Sequence, residues 1–149
     1  MQEKKILIAS DHGGFDLKEN LKSYLQQQNY EVVDYGTHET TSVNYTDYAK
    51  LLATGIKNKE ADKGILICTS GIGMSIAANR YPFIRAALVH CPEEARLSRA
   101  HNNANVLVFG AKFISSDDAQ KCINEFLTTD FEGGRHCVRV DALERMTDE

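Results

Sequence analysis

Short, unbroken apolar runs alternate with amphipathic stretches along almost the whole chain, and that alternation leaves few folds open. Lys5–Ala9 (KILIA), Tyr30–Tyr35 (YEVVDY), Gly64–Cys68 (GILIC), Ile84–Val89 (IRAALV) and Asn105–Phe109 (NVLVF) read as five strands. Between them, Leu17, Leu21, Tyr24 and Leu25 recur at helical spacing, as do Tyr48, Leu51, Leu52 and Ile56. Met74 to Asn79 reads as a third helix, and Pro92 opens a fourth that runs through Arg99. Ser115 or Ser116 can cap a fifth, with Ala119, Cys122, Ile123, Phe126 and Leu127 on its inner face. A glycine-rich stretch, FEGGRHCVRV, precedes a short last helix near Leu143 and Met146. Strands that alternate with helices build a parallel sheet covered on both faces, and burial on both faces is why the strands are continuous apolar runs. The expected fold is a three-layer α/β/α, Rossmann-like arrangement on a five-stranded parallel sheet. No linker, repeat or low-complexity tract interrupts the 149 residues, so one domain over 1–149 is expected.

The charge balance narrows the function. A net charge of −4 argues against a nucleic-acid surface but leaves room for a local cationic pocket. The apolar runs are too short to cross a bilayer, and the start, MQEKKILIAS, lacks a signal-peptide core; a cytoplasmic protein is expected. Cys68, Cys91, Cys122 and Cys137 show no CxxC spacing, so they are expected to be free thiols rather than zinc or redox ligands. No His, Cys and carboxylate set stands at ligand spacing, and no metal or cofactor is expected.

In open α/β sheets ligands bind beyond the carboxyl ends of the strands. After the first strand stand Ser10, Asp11, His12, Gly13 and Gly14; after the third comes Cys68 with the small-residue loop Thr69-Ser70-Gly71-Ile72-Gly73; after the fourth, His90 and Cys91. That loop runs from a strand into a helix start, where backbone N–H groups lack partners and the helix dipole adds positive charge. Such donors favour a thiolate, which makes Cys68 a candidate reactive cysteine. The helix after the fourth strand ends in His101 and Asn102, and these are expected on the same rim. Asp11 can cap the first helix, contact a ligand, or do both. Arg135 and Arg139, after Gly133-Gly134, form either a solvated basic turn or a phosphate clamp, since guanidinium forks match phosphate oxygens. The loop is neither a dinucleotide fingerprint, which needs a third glycine after the first strand, nor a phosphate-binding loop ending in Gly-Lys-Ser/Thr.

The segments ASDHGGFDLKE (9–19), GILICTSGIGMSIAANR (64–80), IRAAL (84–88), SRAHNNANVLVFGA (98–111) and FEGGRHCVRV (131–140) resemble the type B ribose-5-phosphate isomerases, whose fold the galactose-6-phosphate isomerase subunits share. The resemblance spans almost the whole chain. It implies a metal-free aldose–ketose isomerase that interconverts D-ribose 5-phosphate and D-ribulose 5-phosphate through an enediolate. By that resemblance Cys68 is the base, His101 assists ring opening, and Ser70 places a hydroxyl near the substrate oxygens. The backbone N–H groups of Thr69, Ser70, Gly71, Ile72 and Gly73 form the anion hole. Asp11, His12, Tyr45 and Asn102 contact substrate, and Arg135 and Arg139 hold the phosphate. The resemblance also implies a homodimer or dimer of dimers with sites shared between subunits. The chain departs from the family at Thr69, where glycine usually follows the cysteine; a β-branched residue at positive φ is strained, so the loop is expected in a conformation that threonine tolerates.

Three other readings compete. A six-carbon sugar phosphate, allose or galactose 6-phosphate, needs the same chemistry in a longer pocket. A sugar-phosphate sensor needs no base, yet Cys68, Ser70 and His101 occur together. A cysteine phosphatase would carry an arginine in the loop after its thiol, and Thr69 to Gly73 contain none.

Overall fold

The structure, a computed structural model, describes residues 4–146. Five parallel strands form one sheet: β1 (Lys5–Ser10), β2 (Glu31–Asp34), β3 (Gly64–Cys68), β4 (Ala86–Leu88) and β5 (Val106–Gly110), in the spatial order β2-β1-β3-β5-β4. Six helices accompany them: α1 (Phe15–Gln27), α2 (Tyr45–Lys57), α3 (Ile72–Ala78), α4 (Pro92–Ala100), α5 (Ser116–Thr128) and α6 (Arg135–Arg145). The expected α/β/α layering is present.

Alternation along each strand sorts its side chains between two cores. Ile6, Ile8, Ile65, Ile67, Leu107 and Phe109 point to one face, where Leu21 and Leu25 of α1 and Cys122, Ile123 and Phe126 of α5 cover them. Leu7, Ala9, Leu66, Cys68, Val106 and Val108 point to the other, under Leu52 and Ala53 of α2 and Met74 and Ala78 of α3. Cys68 therefore enters the layer formed by α2 and α3.

The chain leaves β1 toward β2 on one side, then crosses to β3 on the other, so the topological switch point lies between β1 and β3. That is where a doubly wound sheet opens a crevice. Ser10 pairs with Ile67 in register, which sets Asp11 and Cys68 on neighbouring strand ends.

Several boundaries differ from the sequence expectation. β4 covers only Ala86–Leu88, because Phe83 takes a positive φ of 66° and Arg85 turns its own N–H to Asn105 Oδ1. α3 starts at Ile72, two residues before Met74, with Gly71 as its N-cap. Leu51, expected on the inner face of α2, is exposed; the buried face there is Ala49, Leu52 and Ala53, one helical step round. The last helix is not a short one near Leu143. It begins at Arg135, directly after Gly133 and Gly134, whose positive φ values of 70° and 55° make the sharp turn into it. Met146 caps its end and is exposed.

Candidate active site

Two groups of polar residues stand out, and they lie at opposite ends of the sheet. The first gathers at the switch point. Asp11 is buried and caps the 3-10 turn His12–Gly14, its Oδ1 accepting from the Gly14 N–H at 3.1 Å. The capping role is thus real, and the second carboxylate oxygen, Oδ2, has no part in it. His12 Nδ1 accepts from the Val43 N–H at 3.1 Å. Neutral His12 therefore carries its proton on Nε2 and presents a donor there.

Cys68 ends β3 and is 5% exposed; its Sγ accepts from the Gly71 N–H at 3.2 Å. Gly71 holds φ +80°, the left-handed conformation that turns this N–H back onto the sulfur. A Cβ at Gly71 would also meet Leu88 Cδ1 at 2.5 Å. The positive φ that the family resemblance raised for Thr69 thus belongs to Gly71, and Thr69 is not among the positive-φ residues. Ser70 Oγ accepts from the Ile72 N–H at 3.2 Å, which leaves the hydroxyl hydrogen of Ser70 free to donate. Two of the five N–H groups expected in the anion hole are therefore engaged inside the loop. The Gly73 N–H belongs to the first helical turn, whose amides have no intrahelical acceptor.

Two contacts tie the neighbouring loops to this one. A Cβ on Gly73 would lie 2.6 Å from Tyr45 Cζ, so Tyr45 sits against the first turn of α3. A Cβ on Gly13 would lie 2.0 Å from Thr69 Oγ1, so the loop after β1 packs on the loop after β3. The segments that carry Asp11, His12 and Tyr45 thus pack against Thr69 to Gly73, the loop that follows Cys68.

The second group lies elsewhere. His101 is the C-cap of α4, a helix that carries the chain from the carboxyl end of β4 back to the amino end of β5. Asn105, four residues on, accepts from the N–H of Gly64, the first residue of β3. Cys68 is the last residue of that strand, and four strand steps span about 13 Å. The expectation that His101 and Asn102 share a rim with Cys68 in one chain is therefore corrected: a helix that returns between parallel strands ends at the opposite edge.

Against His101 lie Glu132 and His136, with Arg135 and Arg139 on the helix that carries His136. The Glu132 N–H donates to Ala100 O at 3.0 Å, which fastens the start of the last turn to the end of α4. The His101 and His136 rings stack with centroids 4.3 Å apart. Glu132 Oε1 lies 3.5 Å from His136 Nε2 and 3.9 Å from His101 Nε2. Burial first, then the charges of His101 and Arg135, hold the His136 imidazole below its ordinary range. Arg135 and Arg139 occupy successive turns of α6, both exposed, with Arg139 Nη1 donating to Arg135 O. Asn102 lines a cleft of about 490 Å³ beside β4, together with Tyr81, Phe83, Arg85, Leu143 and Met146. That cleft holds no thiol, imidazole or carboxylate pair suited to proton transfer; those side chains lie in the two polar groups.

The model of the Ribose/Galactose Isomerase family matches residues 6–143. The chain belongs to that family. A curated relative from Rickettsia bellii, a putative sugar phosphate isomerase, is 50% identical over 97% of this chain and 100% of its own length. The solved ribose 5-phosphate isomerase of Thermotoga maritima is 51% identical, with a TM-score of 0.93 over 95% of this chain and 97% of that one. The ribose-5-phosphate isomerase B of Mycoplasma genitalium, solved with bound ribulose-5-phosphate, is 40% identical, with a TM-score of 0.92 over 97% of both chains.

Within the ribose/galactose isomerase fold, three residues of these two polar groups were not foreseen in the sequence. Val43 contributes only a backbone amide, and no residue type signals that. Glu132 and His136 stand 31 and 35 positions beyond His101, so no spacing rule links them to it. Although no His, Cys and carboxylate set stands at ligand spacing in the sequence, among the described residues folding brings His101, Glu132 and His136 together.

Proposed function

We propose that this chain interconverts D-ribose 5-phosphate and D-ribulose 5-phosphate, the isomerisation that opens the non-oxidative branch of pentose phosphate metabolism. The observation that carries the reading is Cys68: a buried thiol at the switch point whose sulfur accepts from the Gly71 N–H. The Mycoplasma relative solved with ribulose-5-phosphate supports the substrate class.

Cys68 Sγ removes the C2 proton of the open-chain aldose, and the electron pair forms the C1–C2 double bond of an enediolate. Negative charge develops on O1, beside the amides of the loop and the Ser70 hydroxyl. Preorganised donors of this kind contribute roughly 3–4 kcal/mol each. The O2 proton passes to O1, and the thiol returns its proton to C1, which yields the ketose. Asp11, His12 and Tyr45 contact the sugar hydroxyls.

His101, Asn102, Arg135 and Arg139 complete the site from a second subunit. The support is geometric: within one chain they stand at the far end of the sheet from Cys68, so ring opening by His101 and proton abstraction by Cys68 meet only across an interface. A homodimer, alone or paired into a tetramer, meets that need. Exposed Ile72 and Ile76 on α3 and Val138 on α6 supply apolar surface for it. Free thiols at Cys68, Cys91, Cys122 and Cys137 suit a reducing cytoplasm.

A coupled assay comparing ribose 5-phosphate with allose and galactose 6-phosphates tests the reading. The expected result is the highest kcat/KM on ribose 5-phosphate. A clear preference for a six-carbon substrate would move the chain to the hexose branch of its family, and turnover of none would mark it as a binding module.

A further inference from the structure

We propose that Thr69 is a positioning residue: packed against Gly13, its side chain sets how the loop carrying Asp11 and His12 stands against Cys68. The inference deepens the isomerase reading and rests on it, because there Asp11 and His12 contact the sugar and Cys68 moves the proton.

The loop after β1 meets the end of β3 in two places. At Gly14 the neighbour is mostly main chain: a Cβ there would lie 2.8 Å from Ile67 O and 2.9 Å from Ile67 C. The Asp11 N–H donates to that same carbonyl at 3.2 Å. At Gly13 the neighbour is a side chain. A Cβ there would lie 2.0 Å from Thr69 Oγ1 and 3.2 Å from Thr69 Cβ. Gly13 is not among the positive-φ glycines, so its backbone does not require glycine. What requires it is Thr69, which fills the volume that a side chain at 13 would take. Asp11 Oδ1 lies 3.4 Å from the same point, so that volume borders the carboxylate.

Thr69 is fastened where it can hold that place. Its carbonyl accepts from the Lys112 N–H at 2.9 Å, and the Cys68 carbonyl accepts from the Ala111 N–H at 2.9 Å, so its backbone is tied to the segment after β5. A β-branched side chain is stiff at χ1, and the backbone places its Cβ whichever rotamer it takes. On the β1 side, Gly13 and Gly14 have no side chains to fix the loop, while His12 Nδ1 accepts from the Val43 N–H at 3.1 Å. With glycine at 69 the slot would empty, and Asp11 and His12 would lose a stop. Positions 13 and 69 are therefore coupled. One side chain fits between the two loops, two collide, and none leaves a gap.

Coupling of that form reverses the sign of a substitution, which a double-mutant cycle reads. Wild type, Thr69→Gly, Gly13→Ala and the double variant are assayed on ribose 5-phosphate, with urea midpoints taken on the same four proteins. Thr69→Gly should raise KM roughly 10-fold with a smaller change in kcat, since misplacing a substrate by about 1 Å can cost on the order of 100-fold. Gly13→Ala should lower kcat/KM in the presence of Thr69. In the Thr69→Gly background the same alanine should raise kcat/KM and bring it within about threefold of wild type, whereas independent sites would add their losses. Should Gly13→Ala not fold by itself, the gain on adding it to Thr69→Gly still decides. Thr69→Val keeps the shape without the hydroxyl and should behave like wild type.

Additive losses in the cycle would overturn the proposal. So would a Thr69→Val variant as impaired as Thr69→Gly, which would assign the hydroxyl to the substrate directly. Changes confined to the urea midpoints, with KM unmoved, would make the pair a matter of stability alone and overturn the positioning role. A wild-type chain that turns over no sugar phosphate would sink the isomerase reading, and sign reversal or additivity in the midpoints would then decide the packed pair. An active wild type with an additive cycle would do the reverse.

Discussion

Cys68 carries the most concentrated chemistry in the chain, and its surroundings make a sharp expectation. With the sulfur as the proposed proton acceptor, Cys68→Ala should lose nearly all turnover while still binding ribose 5-phosphate, as calorimetry can read. Substrate should slow alkylation of this thiol by iodoacetamide. A near-normal kcat in Cys68→Ala would remove the residue from the mechanism. Arg135 and Arg139, the proposed phosphate contacts, call for a different signature, because a phosphate contact far from the reacting carbon contributes binding. Arg139→Ala should mainly raise KM for ribose 5-phosphate. A charge-assisted contact is worth roughly 1.5–3 kcal/mol, or on the order of a 10- to 150-fold loss in kcat/KM. Unphosphorylated ribose should be nearly indifferent. Equal losses on both sugars would assign the arginines to folding or to the interface. Thr69 shows what single residues can and cannot announce. Its departure from the family pattern is plain in the sequence, but only the folded loop shows that Gly71 takes the positive φ and spares the threonine.

Secondary-structure elements were legible where burial is simple. The central strands β1, β3 and β5 are apolar throughout because both faces are covered, and they appear within a residue or so of the expected bounds. α6 was not legible, because Gly133-Gly134 signals a loop and the helix that follows buries little more than His136 and Val140. Lys18 escaped notice for the opposite reason. A lysine in an amphipathic stretch reads as a solvated residue, yet this one, on the inner face of α1, is fully buried. Its ammonium meets Asp34 Oδ2 at 2.6 Å, and Lys22 reaches the same oxygen at 3.0 Å. Burial pushes the Asp34 carboxyl upward, but the hydrogen bonds from Lys18, the Gly36 amide and Lys22 outweigh it, and the net direction is down. A carboxyl depressed in the folded state contributes stability above its unfolded value and loses it as pH falls. Urea midpoints should therefore hold above the ordinary value of 3.8 and drop as pH goes below it. Asp34→Ala leaves buried Lys18 with Glu19 Oε2, at 2.7 Å, as its remaining carboxylate partner, a loss of at most roughly 3–5 kcal/mol. Lys18→Met should cost much less, because Asp34 keeps Lys22 and the Gly36 amide. Equal costs for the two would show that the pair acts only by filling space.

The arrangement of the whole molecule decides how the two polar groups can work together. Reading the chain in order placed His101 on the rim with Cys68, because the end of the helix after the fourth strand was counted with the carboxyl ends of the strands. Parallel topology separates them, since each crossover helix returns the chain to the starting edge of the sheet. The family resemblance implied shared sites, and the geometry of one chain supplies a reason for them that composition or periodicity could not. Subunit mixing turns that reason into arithmetic. Cys68→Ala and His101→Ala homodimers should each be inactive, because every site in them lacks one partner. In a symmetric dimer, a mixed pair has one site with both defects and one with neither. Random exchange of equal amounts makes half the dimers mixed, so about a quarter of wild-type sites should return. The readout is ribose 5-phosphate turnover after reversible dissociation, with exchange verified by native mass spectrometry on a tagged subunit. Recovery near that fraction requires Cys68 and His101 to meet across the interface. No recovery after complete exchange would place both residues in one chain's site, and the separation along β3 would then have to close by a rearrangement of the sheet edge itself.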